Sequence, residues 1–298
     1  MIECVANVSE GRNAAVIEAI AAALRSTAAR LLNLHADADH HRSVFTLAGP
    51  SAAVEDAALV LATECVASID LRQHNGVHPR MGALDVVPFV PLADASMVDC
   101  VGVARRVGAR IAAELDVPVY LYGEAAVRPE GRSLSALRGR GLSALQERMN
   151  GGGFPPDFGP ASPHPTAGAT AVGARSVLIA YNVLLETADV TIARRIAAAV
   201  RESQGGLRGV QALGFFLATR GRAQVSMNLV GPHLPLVVDV FRRVSGLAET
   251  FGVSVRASEI VGLAPRAALE GASRENLLLG DDLATHFLEQ RLAGGARA

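Results

Sequence analysis

The chain has 298 residues, more than one small domain needs and enough for two packed units of about 100–200 residues each. Half of the residues are hydrophobic and 19% are charged, so a substantial core can be buried. The 28 basic and 29 acidic side chains give a net charge of −1, which argues against a protein that binds nucleic acid or a membrane surface through a basic stripe.

The three cysteines favour a reducing compartment. Cys4, Cys65 and Cys100 are odd in number and far apart, and each lies in an apolar run where a buried thiol is expected. The N-terminal residues lack the basic and apolar segments of a signal peptide. No apolar run reaches the roughly 18 residues of a membrane span. We therefore expect a cytoplasmic protein.

Hydrophobic spacing predicts the secondary structure of the first half in chain order. Strands are predicted over residues 2–8, 31–35, 44–48, 83–90 and 117–122. Helices are predicted to begin near Asn13, Ser51 and Met97. Ser96 and Asp99 have the spacing of a capping box at the start of the third helix. The elements up to residue 90 have the order β-α-β-β-α-β.

The second half repeats this order. Strands are predicted over residues 177–185, 210–218, 223–229 and 254–261, and helices over 189–201 and 237–251. The middle strands form a hairpin about an Arg220–Gly221 turn. The repeated order predicts an α+β fold of two ferredoxin-like subdomains side by side, with a ligand cleft between them.

We predict an N-terminal subdomain (1–150), a Gly/Pro-rich connecting loop (151–175) and a C-terminal subdomain (176–298). Three consecutive glycines open the loop, and five prolines between residues 155 and 165 exclude helix and central strand. On composition alone the loop is a plain linker. Because prolines stiffen it, and because long ordered loops at domain junctions often line a site, a functional loop is the alternative.

Five of the eight histidines lie in two short segments, 34–42 and 72–82. The second segment holds two histidines, two arginines and two glycines, which is dense for scattered surface residues. One interpretation is a histidine general base beside arginines that bind carboxylates. The other is a metal site that includes His74 and His78. The Asn-Gly pair and the proline around His78 break the helix that would align these two histidines, so we expect no metal.

Eight short motifs, spread over nearly the whole chain, form a recognisable set. In the first half they are CVANVSEG (4–11), RSVFT (42–46), HPRMGALDVVPF (78–89), VPVYLYGEA (117–125) and PDFGP (156–160). In the second they are GATAVGAR (168–175), AQVSMNL (223–229) and IVGLAP (260–265). Together they resemble the glutamate formiminotransferase family, and HPRMGALDV is a specific run.

The resemblance implies transfer of the formimino group from N-formiminoglutamate to tetrahydrofolate, as in histidine degradation and one-carbon metabolism. It implies a stand-alone transferase, without the cyclodeaminase domain of some relatives, that acts as a homodimer. The family's catalytic histidine corresponds to His78, which would take the proton from folate N5 and help to protonate the departing glutamate. The folate-contacting loop corresponds to Gly159, Pro160, Ala161, Ser162, Pro163, His164, Pro165, Thr166, Ala167 and Gly168.

Six further residues are candidates for substrate binding, namely Asn7, His35, His41, Arg42, Arg80 and Asn228. A turn or cap role is the alternative for the asparagines and arginines, and motif membership favours carboxylate binding for Arg80. Relatives carry an acidic residue and then Asn-Arg where this chain has His35 and then His41-Arg42. The loop also lacks the aromatic residue on which a folate ring could stack in some relatives. These departures affect substrate recognition or proton handling.

Two other functions stay open at this point. A metal-dependent hydrolase that acts on an acylated amino acid would use the histidine cluster and would contain bound zinc. A non-catalytic or altered-substrate paralogue would bind folate without the expected turnover, and its folate binding would survive replacement of His78.

Overall fold

The computed structural model describes residues 1–74, 76, 79–139, 141–231 and 234–294. The chain divides into two compact units, Met1–Arg175 and Ser176–Ala298. Residues 151–175, expected to connect two subdomains, therefore belong to the first unit. Within the ranges given above, no helix has both the length and the apolar character needed to cross a membrane.

A six-stranded sheet forms the centre of the first unit, as far as its residues are described. Its strands are β1 (Ile2–Val8), β2 (Arg30–Asp37), β3 (Arg42–Gly49), β4 (Leu84–Pro91), β5 (Val119–Gly123) and β6 (Thr170–Ala174). They lie in the order β2-β3-β1-β4-β6-β5. The strands from β2 to β4 pair antiparallel, whereas β6 is parallel to both β4 and β5.

Three helices cover one face of this sheet, namely α1 (Ala14–Arg25), α2 (Ser51–Ser68) and α3 (Met97–Leu115). Their apolar stripes meet Cys4, Phe45 and Phe89 of the strands in the main core. The Asn13 side chain caps α1. The expected capping box is present at α3, where side chain and backbone of residues 96 and 99 bond reciprocally.

A smaller core lies on the other face of β4, β5 and β6. The short helices α4 (Leu134–Arg138) and α5 (Leu142–Asn150) contribute to it. Because successive strand residues point to opposite faces, Tyr120 and Tyr122 enter this core while Leu121 enters the main one. The part of the chain between β5 and β6 thus contributes two short helices and several residues of this smaller core.

The second unit contains a four-stranded antiparallel sheet in its described residues. Its strands are β7 (Leu178–Leu185), β8 (Val210–Leu217), β9 (Arg222–Val230) and β10 (Val255–Val261), in the order β10-β7-β9-β8. α6 (Val190–Val200) and α7 (Val237–Thr250) contribute to the core on one face. The short helices α8 (Arg274–Leu277) and α9 (Leu288–Ala293) follow the last strand.

Both units confirm the predicted ferredoxin-like topology. Each has β-α-β-β-α-β order. If the four strands of this motif are numbered along the chain, both sheets contain them in the spatial order 4-1-3-2. The sequence pattern did not predict α4, α5 or β6. The residues of β6 were placed in the connecting loop, which was predicted from its glycines and prolines, and Gly173 fits the strand for a physical reason. A Cβ at Gly173 would lie 2.4 Å from Tyr122 O.

Candidate functional site

The predicted site segments of the first unit meet at one end of its sheet. β1 and β2 end there while β3 and β4 begin there, because these neighbours run antiparallel. Ser9 makes two hydrogen bonds to the residues just before β4. Its Oγ donates to Gly82 O at 2.7 Å, and its N–H donates to Ala83 O at 2.8 Å. The loop after β1 is therefore bonded to the start of β4.

His78, the predicted catalytic base, lies outside the described residues, whereas Gly76 is described and lies close to the first histidine segment. A Cβ on Gly76 would come within 2.4 Å of His40 O, 2.6 Å of Arg80 Nη2 and 2.7 Å of His41 Cβ. A glycine is required where the second histidine segment crosses the first. The crossing brings the two predicted segments into direct contact.

The two histidine segments stack through the rings of His41 and His74, whose centroids are 3.7 Å apart with an interplanar angle of 26°. Arg80 Nη1 lies 2.6 Å from His74 Nε2. The same nitrogen lies 3.0 Å from His41 O, and His74 Nδ1 accepts the Gly76 N–H at 3.4 Å. The stack therefore orients Arg80.

Glu10 holds the other side of the stack. Its Oε1 lies 3.1 Å from His41 Nε2 and accepts the backbone N–H groups of Arg12 and Asn13 at 2.7 and 2.9 Å. Burial alone would raise the pKa of Glu10, but these donors outweigh it and lower that pKa. Burial lowers the pKa of His41, and the Glu10 charge opposes this effect.

His41 has two unusual properties. Its backbone is left-handed, with φ 49°, a conformation that histidine tolerates better than most residues. The residue is buried, with 9% of its surface exposed, and the Nδ1 atom of its ring has no hydrogen-bond partner among the described residues. With Nε2 facing Glu10, a neutral ring would leave Nδ1 as an acceptor.

Several arginines concentrate positive charge at this end of the sheet. Burial, together with the charges of Arg138 and Arg80, lowers the pKa of Arg42 to about 10, although Asp85 opposes this effect. Burial likewise lowers the pKa of Arg80 to about 10. Guanidinium groups with such pKa values remain charged at neutral pH, so the cluster can bind carboxylates through paired N–H donors.

Asp85 and Arg138 form an ion pair near the candidate site, and the sequence did not predict either residue as part of it. Asp85 is 1% exposed; its Oδ1 accepts the Met81 N–H at 2.7 Å, and its Oδ2 accepts from Arg138 Nη2. The carboxylate was visible in the sequence as an acidic residue inside an apolar strand. Arg138 lies 53 residues away in a helix that was not predicted, so no local signal marked it.

The predicted folate loop, residues 159–168, is bonded to both ends of segment 71–83. The Leu71 N–H donates to Thr166 O, and the Ala83 N–H donates to Ala167 O, both at 2.9 Å. The loop is therefore bonded to the two residues that flank the second histidine segment.

Inside the loop, His164 and Gly168 close a tight turn. Each donates its backbone N–H to the carbonyl of the other, at 2.8 and 2.9 Å, and His164 Nδ1 accepts the Ala167 N–H at 3.0 Å. Gly168 has φ 71°, and a Cβ there would lie 2.3 Å from Met81 O. The end of the loop thus depends on a glycine that packs against the neighbouring backbone.

Asn7 and His35 share one cross-strand row. His35 lies opposite Val44 of β3, and Val44 lies opposite Asn7 of β1. Both side chains are on the face away from the main core, because Ala6 and Val8 enter that core. Two strand spacings separate their backbones by about 10 Å.

Asn228 lies in the second unit and is exposed on β9. Ser226, two residues earlier on the same face, donates to Asn182 Oδ1 at 2.7 Å, and Asn182 Nδ2 donates to Glu259 at 3.3 Å. This polar network on the sheet was not predicted.

No group of three or more His, Cys, Asp or Glu side chains is arranged to hold a metal ion within the part of the chain that the structure describes.

Comparisons with known proteins match both units. The N-terminal subdomain of the formiminotransferase domain matches residues 1–175, and the formiminotransferase domain matches residues 180–278. Glutamate formimidoyltransferase of Streptococcus pyogenes is 40% identical over 296 residues, which cover 99% of each chain. The enzyme of that name from Thermoplasma acidophilum is 40% identical, over 99% of this chain and 98% of its own. Formimidoyltransferase-cyclodeaminase of Rattus norvegicus is 42% identical over 92% of this chain but only 52% of its own.

Proposed function

This chain belongs to the formiminotransferase family, and from that premise we propose that it transfers the formimino group of N-formiminoglutamate to tetrahydrofolate. The products are 5-formiminotetrahydrofolate and glutamate, which links histidine degradation to one-carbon metabolism. The observation that carries this proposal is the hydrogen bonding of loop 159–168 to both ends of segment 71–83. It supports one site in which the folate loop and the base act on the same folate molecule.

His78 is the proposed base. A neutral imidazole accepts a proton near pH 7. It takes the proton of folate N5 while N5 forms a bond to the formimino carbon. The bond between that carbon and the glutamate nitrogen then breaks, and His78 returns the proton to that nitrogen. One proton moves, one C–N bond forms and one breaks.

Arg42 and Arg80 are proposed to bind the carboxylates of the donor. Both lie in the arginine cluster, and the contact of Arg80 Nη1 with the His74 ring supports a fixed orientation for its guanidinium group. Asn7, His35, His41 and Asn228 are proposed to complete the substrate contacts. His41 brings a neutral acceptor into the site, which supports a role in recognising an N–H or O–H group.

We further propose a homodimer in a reducing cytoplasm. All three cysteines are free and buried. Burial raises the pKa of Cys100 to about 11, so this group remains a thiol at neutral pH. Sedimentation at micromolar concentration tests the dimer.

The test mixes purified protein with tetrahydrofolate and N-formiminoglutamate and follows 5-formiminotetrahydrofolate by its absorbance. Replacing the base in a His78→Ala variant is expected to lower the rate by about 10²–10⁴-fold. Tetrahydrofolate binding and the thermal unfolding midpoint serve as controls, and both are expected to stay close to the parent values.

Each outcome separates one part of the proposal. A variant that keeps the parent rate would remove His78 as the base. A parent that binds tetrahydrofolate but releases no product from N-formiminoglutamate would overturn the proposed donor. Activity that depends on bound zinc and is lost with a chelator would favour a hydrolase.

A further inference from the structure

Arg138 and Asp85 form a buried ion pair at the site end of the first sheet. The side chain of Arg138 is 13% exposed and that of Asp85 is 1% exposed. Asp85 uses its two oxygens separately, one for the Met81 N–H and one for Arg138 Nη2. The pair therefore joins α4 to the segment that precedes β4.

The first unit contains a matched ion pair. Asp157 Oδ2 accepts the Leu121 N–H at 2.7 Å, and its Oδ1 accepts from Arg128 Nη2 at 3.1 Å. Here the backbone partner belongs to β5 rather than to segment 71–83. The Arg128 pair is thus a control for an Arg–Asp pair that only braces the fold.

The helix that carries Arg138 is held in place. Leu137 is 2% exposed in the smaller core. Arg148 Nη1 donates to the carbonyls of Ala136 and Leu137, both at 3.0 Å, and the Arg148 guanidinium lies 3.6 Å from the Phe154 ring centroid. A guanidinium on such a support loses little further freedom when it binds a ligand.

Arg138 has an unused donor. Its Nε is buried and has no hydrogen-bond partner among the described residues. Buried donors are nearly always paired in native proteins, so an orphan of this kind points to a ligand or water that accepts from it. Arg138 also lowers the pKa of both Arg42 and Arg80, and an anion among the three guanidinium groups would relieve their repulsion.

The chain contains no lysine, and all 28 of its basic side chains are arginines. A carboxylate in its site therefore meets no lysine, and the planar guanidinium groups of arginine match a carboxylate in shape. We propose that Arg138, positioned by Asp85, binds a carboxylate of the formimino donor by donating its Nε–H to a carboxylate oxygen. This inference rests on the proposed function, in which the donor brings two carboxylates to a site that also contains Arg42 and Arg80.

The experiment compares Arg138→Gln with the matched Arg128→Gln. The loss of a charged hydrogen bond is expected to raise the KM for N-formiminoglutamate by about 10–100-fold in Arg138→Gln. The KM for tetrahydrofolate is expected to stay within about twofold, because the folate loop bonds to other residues. Arg128→Gln is expected to leave both KM values within about threefold.

Glutamate binding by calorimetry separates this inference from the proposed function. If the parent binds glutamate, shows no turnover, and Arg138→Gln weakens that binding tenfold or more, the proposed function fails and the carboxylate role stands. If the parent turns over and Arg138→Gln has the KM values of the parent, the carboxylate role fails alone. Equal effects of the two arginine variants on both substrates would also overturn it.

Asp85 is a positioning residue, and Asp85→Asn tests it against Asp157→Asn. Asp85→Asn is expected to raise the KM for the donor and lower kcat together, since it loosens both Arg138 and the Met81 backbone. Asp157→Asn is expected to change the unfolding midpoint with no such shift in KM. Identical KM and kcat changes in both variants would reduce Asp85 to a structural role.

Discussion

The β2–β3 hairpin and the β8–β9 hairpin, each at one edge of its sheet, have similar turns and different surroundings. Residues 38–41 join β2 to β3, and residues 218–221 join β8 to β9. In both four-residue turns the last residue is left-handed, with φ 49° at His41 and 60° at Gly221. Glycine is the usual residue for this conformation, so the histidine in the first turn carries a cost that the second turn avoids.

The surroundings of the turns explain that difference. The buried residues of the first turn are Asp39, His40 and His41, whereas Ala218, Thr219 and Arg220 of the second are exposed. Glu10 in the loop after β1, together with His74 and Arg80, contacts the first turn. Strained residues persist where their surroundings fix them, and they cluster at functional sites. The two units share a topology, but the predicted site residues, apart from Asn228, belong to the strands and loops of the first unit.

The largest effect is expected where the folate loop meets Met81. Gly168 and Gly221 are both left-handed, with φ 71° and 60°. An alanine Cβ at Gly168 would lie 2.3 Å from Met81 O, whereas nothing lies within 4 Å of one at Gly221. Gly221→Ala is expected to lower the free energy of unfolding by about 1–2 kcal/mol, from backbone conformation alone. Gly168→Ala is expected to lower it by about 4 kcal/mol, because the backbone must also shift.

Urea unfolding of the two alanine variants measures this difference, and turnover is followed in parallel. Gly168→Ala is expected to lose activity with stability, since the loop is bonded to segment 71–83, while Gly221→Ala remains active. Equal destabilisation by the two variants would show that the close approach at Gly168 does not matter.

The next effect concerns the first strand of each sheet. On the face away from the core, β1 buries Glu3, whereas β7 places Leu178 and Ala180 there. Burial raises the pKa of Glu3 from 4.5 to about 7, and Arg175 only partly opposes it. Because the folded pKa is the higher one, the native state binds more protons between pH 4.5 and 7. The free energy of unfolding therefore falls by about 3 kcal/mol as the pH rises through that window.

Glu3→Gln removes this titration. Urea unfolding at pH 5 and pH 8 is expected to give a smaller loss of stability with rising pH in the variant than in the parent. An unchanged difference between the two pH values would mean that Glu3 titrates normally in the folded protein.

The sequence predicted helix caps and turns, which depend on residues close together in the chain. Ser96 and Asp99 marked the start of α3, and Gly221 marked the hairpin turn, since each acts within a few residues. The site contacts join distant positions, such as Glu10 with His41, 31 residues away. No spacing rule relates such residues, so the sequence indicated the histidine segments and Arg80 but not their stacking. The strand β6 was not predicted, because it forms by pairing with β4 and β5, which are distant in the chain, and its own residues do not have a strand pattern.

The smallest effect tests the two turns directly, with His41→Asn and Gly221→Asn. Asparagine accepts the left-handed conformation, so each variant is expected to change the free energy of unfolding by about 1 kcal/mol or less at pH 8. The effects of the two variants on the free energy of unfolding should differ at lower pH. The pKa of His41 is lowered by burial, so the neutral ring is the native form. Its contribution to stability is present above its unfolded pKa of 6.5 and is lost as the pH falls through the folded value.

Urea unfolding between pH 8 and pH 5 measures that separation. His41→Asn is expected to lose less stability than the parent as the pH falls below 6.5, whereas Gly221→Asn follows the parent. Lowering the pH is expected to weaken the contribution of His41 to stability and to strengthen that of Glu3. The two variants are therefore informative together, because a nonspecific destabilisation at low pH would affect both in the same direction. If His41→Asn follows the parent at every pH, the His41 ring is not held neutral by its surroundings, and the first turn differs from the second only in burial.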